Sequence, residues 1–454
     1  MNFPTTIAAA AAQLRSGKLT PSDLTEACLA RIDALEPQVR AWVFVDADAA
    51  RRSAAQATSE LRAGKDRGPL HGIPIGVKDI IDVAGYPTLA GHRARPRAVA
   101  EQHAFVVEKL VAAGVVILGK TVTTEYASFD PPPTLNPWNL ERTPGGSSSG
   151  SAAATAAGMC YVALGSQTGG SVIRPASYCG VAGIKPTYGR LGLSGIVPLA
   201  YHFDHPGALA RTVDDLALTY RAMQGDDTGD MHRVRAGEAA GGAARGIATL
   251  RLGVVKGYFE EKATDDVRAG AGAAIERLRG AGAQVREVEL PPSFAGVPAA
   301  HRLIMAVDAA SYHRNAFTKN RSDYGPRIAS LLDEGLAASA VDYSQALHLQ
   351  RRFRHEMEAL LRSADVDALV MPAVGNAAPP KDTTGDVSLQ APWSLAGLPV
   401  VSMPCGLASD GLPVALQLVG QAWTEDALLS TAAACEAAIG FSGVPKLVAA
   451  LAKS

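Results

Sequence analysis

The 454-residue sequence predicts an α/β fold, on three observations. GIPIGVKDIIDVAG (72–85) reads as a buried strand opening into a loop. EQHAFVVEKLVAAGVVILGKT (101–121) reads as helix then strand, and the strand-like segments RLGVVKG, AQVREVEL, DALVMPAV, PVVSMPCG and PVALQLVG share the later chain with helical segments 271–282 and 343–362. Alternation of this kind is the pattern of α/β proteins.

Near the start, TPSDLTEACLARIDALEP (20–37) predicts a capped helix: Thr20 as N-cap, Pro21 at the first helical position, Asp23 in the first turn, and Leu24, Cys28, Ile32 and Leu35 at helical spacing. Its expected stop is Pro37. A second helix is expected over 48–63, ahead of the 72–85 strand. Residues 236–248, AGEAAGGAARGIA, are the expected surface connection, and 372–393 form a Pro/Gly-bearing loop of a length that is often functional.

Composition narrows the function. Lys plus Arg number 43 and Asp plus Glu 44, with no long run of either sign, so no electrostatic footprint of nucleic-acid or polybasic membrane binding is expected. No apolar stretch approaches the ~20 residues of a membrane span, and the N-terminus lacks the basic start of a signal peptide. The resulting expectations are a cytoplasmic monomer or homodimer acting on a small molecule, with no nucleic acid and no membrane. Five scattered cysteines (28, 160, 179, 405 and 435) without CxxC spacing, and the absence of HExxH, predict neither a metal nor another cofactor. Cys160 and Cys179 have no histidine nearby in sequence to activate a thiol.

The segment TPGGSSSGSAAATAAGMCYVALGSQTGGS (143–171) brackets small, apolar residues with two Gly/Ser clusters. A phosphate-binding loop needs Lys after its last glycine, but Ser151 follows Gly150. Gly146, Ser148 and Gly150 spell GxSxG, yet NPWNLERTP before them is not the strand a nucleophile elbow requires. A flexible linker would not be followed by AAATAAGMCYVALG. What remains is two serine-bearing turns on either side of a small-residue helix. In the second turn the N–H groups of Thr168, Gly169, Gly170 and Ser171 could converge as an anion-binding nest, with glycine supplying positive φ. Such a nest beside a serine is an oxyanion hole.

PGGSSSGSAAA, GSQTGGSVIRPASYCGVAGIKPTYGR and GIPIGVKD together resemble the amidase signature family of serine hydrolases. The resemblance runs from LTPSDL to GLPVALQLVG and is least diagnostic over 230–380. It implies one α/β domain over 1–454, a twisted mixed sheet covered by helices on both faces, with a catalytic core at 65–225. It also implies a triad of Lys78, Ser147 in a cis peptide and the nucleophile Ser171, 24 residues after Ser147. Neutral Lys78 would relay a proton through Ser147 to Ser171, and residues 168–171 would hold the oxyanion. For Lys78 to act as a base it must be buried or near positive charge; otherwise it would be an ion-pair partner of Asp79 or Asp82.

Ser148, Ser149 and Ser151 read as capping and packing groups. Arg174 matches an arginine that malonamidase-like members use for a carboxylate, with a structural ion pair as the plainer expectation. Gln167 stands where many members carry Asp, and Asp204 and His205 match a stretch that buttresses the site. Tyr126, Ser128, Phe129, Gly146, Trp393 and Leu395, with Arg174, are the expected substrate lining. The expected substrate is a small amide with an apolar or aryl group, with esters and carbamates also open to the acyl-enzyme route. The alternatives are an amidase subunit of a tRNA-dependent amidotransferase, a hydrolase of acidic amides using Arg174, and a non-catalytic binding protein.

Overall fold

The computed structural model describes residues 3–233 and 246–451, so residues 236–245 of the expected surface connection lie outside the described residues. The strands in chain order are β1 (Trp42–Val45), β2 (Pro74–Lys78), β3 (Val116–Thr121), β4 (Val162–Gln167), β5 (Ala182–Lys185), β6 (His205–Ala210), β7 (Arg251–Val255), β8 (Gln284–Val288), β9 (Ala368–Pro372), β10 (Val400–Leu407) and β11 (Pro413–Val419). They form one mixed sheet flanked by helices, in the order β1-β3-β2-β4-β6-β5-β10-β11-β9-β7-β8. Parallel pairs β3/β2/β4 and β9/β7/β8 stand on either side of an antiparallel centre. The central strands β2, β4, β5, β6, β9 and β11 are buried along their whole length, which is why they read as continuous apolar or small-residue runs rather than as alternation.

The expected helix at 20–37 runs from Pro21 to Val39, with Thr20 and Asp23 forming a capping box. Pro37 does not stop it. A proline so close to the end removes one N–H of the final turn. The helix ends instead at Arg40, whose left-handed backbone (φ 55°) closes its N–H onto Glu36 O. The Glu36 carboxylate then accepts the N–H groups of Ala41 and Trp42, aiming the chain into β1.

The segment between the two Gly/Ser clusters is not one helix. It is a helix, Ser149–Ala156, followed by a turn at Gly158 (φ 69°) and then β4. This arrangement places both clusters at one edge of the sheet. The first opens the Ser149–Ala156 helix, and the second follows the carboxyl end of β4 and opens the Ile173–Cys179 helix. Carboxyl ends of parallel strands are where open α/β sheets bind ligands.

Candidate active site

Lys78 ends β2, and the parallel register Val77↔Leu164 sets it beside Ser166 near the end of β4. Its Nζ donates to Ser147 Oγ (2.7 Å) and to Ser166 Oγ (2.8 Å). Burial pushes its ammonium down to about 7, against the opposing negative charge of Asp204. Asp79, one sequence candidate for its counter-ion, pairs with Lys120 instead (3.1 Å), and Asp82 also makes no ion pair with Lys78. Among the described residues Lys78 is therefore a buried amine held by hydroxyls alone.

Ser147 follows a cis Gly146–Ser147 peptide. The Ser148 N–H donates to Ser171 O (3.2 Å), which brings the two clusters into contact. Lys78 and Ser147 are fully buried, whereas Ser171 retains 7% exposure, so of the three groups it is the one open toward solvent. Ser148 and Ser151 do not cap the helix. Their hydroxyls donate to Ser166 O and Leu164 O, tying the helix to β4.

The N–H groups of Gly169, Gly170 and Ser171 make no hydrogen bond among the described residues, while the same turn is held by its other groups. His301 Nε2 bonds Thr168 O (3.2 Å), Ser394 Oγ donates to Gly169 O (2.8 Å), and Thr168 Oγ1 donates to Asp204 Oδ1 (2.5 Å). The antiparallel pair Gln167↔His205 puts Asp204 at that position. Burial pushes the Asp204 carboxyl up to about 6 and the His301 imidazole down to about 4. A neutral His301 facing a carbonyl carries its proton on Nε2.

The two glycines of this turn are not needed for positive φ, contrary to the sequence expectation, because neither adopts it. They are needed for close approach. A Cβ on Gly170 would lie 2.4 Å from Gln390 Oε1, and one on Gly169 2.7 Å from Val387 Cγ2. Gln167 compensates for the missing Asp with a neutral amide. Its Oε1 accepts from Val172 and Ile173 N–H, both at 3.0 Å, and its Nε2 donates to Ser394 Oγ.

Arg174 does not form the expected ion pair. It is buried, its Nη2 donates to Gly146 O (2.8 Å) and reaches Thr384 Oγ1 (3.5 Å), and its Nε and Nη1 have no hydrogen-bond partner among the described residues. Burial holds its guanidinium below the usual range.

A cavity of about 260 Å³ neighbours this turn through His301 and Val387, although neither residues 168–171 nor Lys78 and Ser147 line it; Phe129, Met305, Ala391 and Pro392 also wall it, with Arg302, Asp386 and Ser388 facing it. Of the lining expected from sequence, Phe129 is here. Tyr126 packs instead among His92, His313 and Tyr324. Ser128 is buried and accepts from Thr124 Oγ1 through its carbonyl, and Gly146 packs on Thr384. Trp393 and Leu395 are fully buried in the core, Trp393 stacked on Phe259, so their helix offers Ala391 and Pro392 to the cavity.

Sequence reasoning missed Ser166, His301, Ser394 and Thr384. Only Ser166 carried a signal, lying two residues before Thr168 on a strand parallel to β2. Burial pushes the Cys160 thiol up to about 11 and the Cys179 thiol higher still. Among the described residues no group of three or more His, Cys, Asp or Glu side chains could hold a metal, and no helix is long and apolar enough to cross a membrane.

A buried amine bonded to a serine hydroxyl, a second serine with some exposure, and N–H groups that make no hydrogen bond among the described residues are parts that acyl transfer requires. A family model described as Amidase matches residues 23–429. A glutamyl-tRNA(Gln) amidotransferase subunit from Roseiflexus sp. (strain RS-1) is 37% identical over 467 residues, covering 93% of this chain and 94% of that protein. Among solved structures, the peptide amidase of Stenotrophomonas maltophilia superposes with a TM-score of 0.87 at 32% identity, covering 98% of each chain. A chain of a vestigial complex, described as revealing the origins of an s-triazine catabolic enzyme, gives 0.90 at 32%, covering 97% of this chain and 100% of that one.

These relatives correct one expectation. Balanced charge points to a small-molecule enzyme with no nucleic acid, acting as a monomer or homodimer, yet the curated relatives are subunits of an enzyme named for a tRNA. Net charge reports the long-range field of a surface. It carries no information about assembly with other subunits.

Proposed function

This chain belongs to the amidase signature family, and we propose that it hydrolyses a carboxamide through an acyl-enzyme on Ser171. Membership makes it an amidohydrolase of C–N bonds. The observation that carries the residue roles is Lys78, buried and bonded to two hydroxyls with no carboxylate. Neutral Lys78 takes the Ser147 proton as Ser147 takes that of Ser171, and Ser171 Oγ attacks the carbonyl carbon. The N–H groups of Thr168, Gly169, Gly170 and Ser171 stabilise the oxyanion. The proton returns through Ser147 to the leaving nitrogen, the C–N bond breaks, and water releases the acid by the same route. The catalytic core falls within 65–225, and 372–393 serves as the substrate loop. Five free, buried cysteines support a cytoplasmic location. A fluorophosphonate should label Ser171, and Ser171→Ala should abolish both turnover and labelling. Labelling of Ser148 or Cys160 with Ser171 untouched would overturn the assignment.

For the substrate, similarity best supports an amide-donor subunit of an amidotransferase, because relatives with that name cover the chain nearly end to end. The unpaired Nε and Nη1 of Arg174 suit an amide donor that carries a carboxylate, such as glutamine. A second reading rests on the apolar walls of the 260 Å³ cavity. They favour free-standing hydrolysis of apolar or aryl amides, and of the corresponding esters and carbamates (urethanase activity). Specificity constants for glutamine, a neutral anilide and its carbamate, measured with and without amidotransferase partner subunits, separate the two. Glutamine turnover that appears only with partners supports the first reading. Fast anilide turnover by the isolated chain supports the second.

A further inference from the structure

A larger cavity, of about 670 Å³, lies away from the candidate active site. Ala156 and Gly158 line it from the carboxyl end of the Ser149–Ala156 helix, and Cys179 and Gly180 from that of the Ile173–Cys179 helix. The cavity thus lies behind the two helices whose opposite ends carry the serine clusters. We propose that it is a binding site for a small amphipathic carboxylate, one negative head on an apolar tail.

Two guanidinium groups mark the head position. Arg31, half-buried, makes no hydrogen bond or ion pair among the described residues. Burial and the neighbouring charge of Arg211 hold its guanidinium below the usual range. Arg211 is anchored by carbonyls only, Thr5 O (2.7 Å), Cys160 O (2.8 Å) and Thr155 O (3.4 Å), with its guanidinium 5.0 Å from the centre of the Tyr161 ring. Neither arginine has a carboxylate oxygen within 4 Å among the described residues. Partly buried charges are ordinarily paired, so two adjacent cations without a counter-ion form an incomplete site.

The single acid in the wall, Glu436, does not supply that counter-ion. Both its oxygens face the Val213 N–H (3.0 and 3.2 Å), and burial pushes it up to about 7. A planar carboxylate matches the guanidinium fork. Leu24, Phe441, Val444 and Val448 offer apolar walls for the rest of the ligand. A second negative charge would meet Glu436 and no third cation, which favours a monocarboxylate over a phosphate.

The test is calorimetric titration and thermal shift of the full chain with octanoate, octanol (same tail, no charge) and propionate (same head, short tail). Octanoate should bind at one site and raise the Tm, with the other two at least tenfold weaker. Arg31→Gln should weaken octanoate at least tenfold while Arg31→Lys retains part of the affinity. Because Arg31→Gln removes an unpaired cation, its own Tm should equal or exceed that of the wild type, so folding is not in question. Val448→Trp, which narrows the cavity from the Lys446–Leu451 helix rather than from the helix that carries Arg31, should also lose octanoate. Octanoate binding that survives both substitutions places the anion elsewhere, the catalytic pocket included, and overturns the proposal. So does octanol binding as tightly as octanoate.

Discussion

Replacing Lys78 with methionine keeps an unbranched stem one atom shorter and removes the ammonium, with its titration and its two hydrogen bonds. In the folded protein burial lowers the Lys78 ammonium from 10.5 to about 7. The unfolded chain therefore binds the proton more tightly than the folded one, and between those two values stability rises with pH. Below pH 7 the full displacement applies, a destabilisation of ~5 kcal/mol at 1.36 kcal/mol per unit. At pH 9 the folded protein has released the proton while the unfolded chain still holds it, so the remaining cost is the gap from pH 9 to 10.5, ~2 kcal/mol at 1.36 kcal/mol per unit. Lys78→Met should therefore gain stability relative to wild type by ~2 to 3 kcal/mol more at pH 6 than at pH 9. The lost bonds to Ser147 and Ser166 cost about 1 to 3 kcal/mol, but nearly equally at both values, so they cancel in the difference. Urea unfolding of both proteins at pH 6, 7, 8 and 9 gives the comparison. Amide turnover by the wild type should rise through a basic limb near pH 7, and the variant should lose that limb with most of the rate. A stability difference that is flat across this range would mean Lys78 keeps its charge when folded, and it could not then be the base.

Asp204→Asn removes the one negative charge that supports the charged form of Lys78, so the basic limb should move to lower pH; a move to higher pH would contradict the electrostatic account. Gly170→Ala puts a methyl 2.4 Å from Gln390 Oε1 and should displace the N–H groups that face the oxyanion. The expected loss is about 100-fold or more in kcat, in line with removal of an oxyanion donor, and a variant with unchanged kcat would place the oxyanion elsewhere. Gln167→Leu unpairs the Val172 and Ile173 N–H groups and should cost about 1 to 3 kcal/mol in thermal unfolding. Dialysis against a chelator should leave the rate unchanged, and a loss restored by zinc would reopen metal-assisted hydrolysis.

The parts of the site that are legible in the sequence are those built within a few residues. TGGS and GGSSSG specify tight, serine-bearing turns by composition, and the burial of β2 is spelled out by GIPIGV around Lys78. What the sequence does not display is which distant groups complete them. The Thr168–Ser171 turn is held by Asp204, His301 and Ser394, which lie 36, 133 and 225 residues from their partners and reach it through sheet order and helix packing. No period or motif in 297–319 distinguishes His301 from any other buried histidine.

The misplaced expectations share a physical cause. Trp393 and Leu395 belong to a segment that does reach the 260 Å³ cavity, but only the folded helix shows which of its faces meets the cavity and which the core. A buried cation ordinarily finds an acid, yet Arg174 is satisfied in part by Gly146 O, the carbonyl of the peptide that carries Ser147. Gly169 and Gly170 are required by what packs against them, a tertiary fact, although their spelling suggests a backbone one. Local sequence thus constrains the serine-bearing turn more tightly than the cavity near it. Ser171 is presented by a turn written in consecutive residues, while the cavity behind His301 and Val387 is assembled from Phe129, the 297–319 helix and the 372–393 loop, three segments whose meeting only the fold decides.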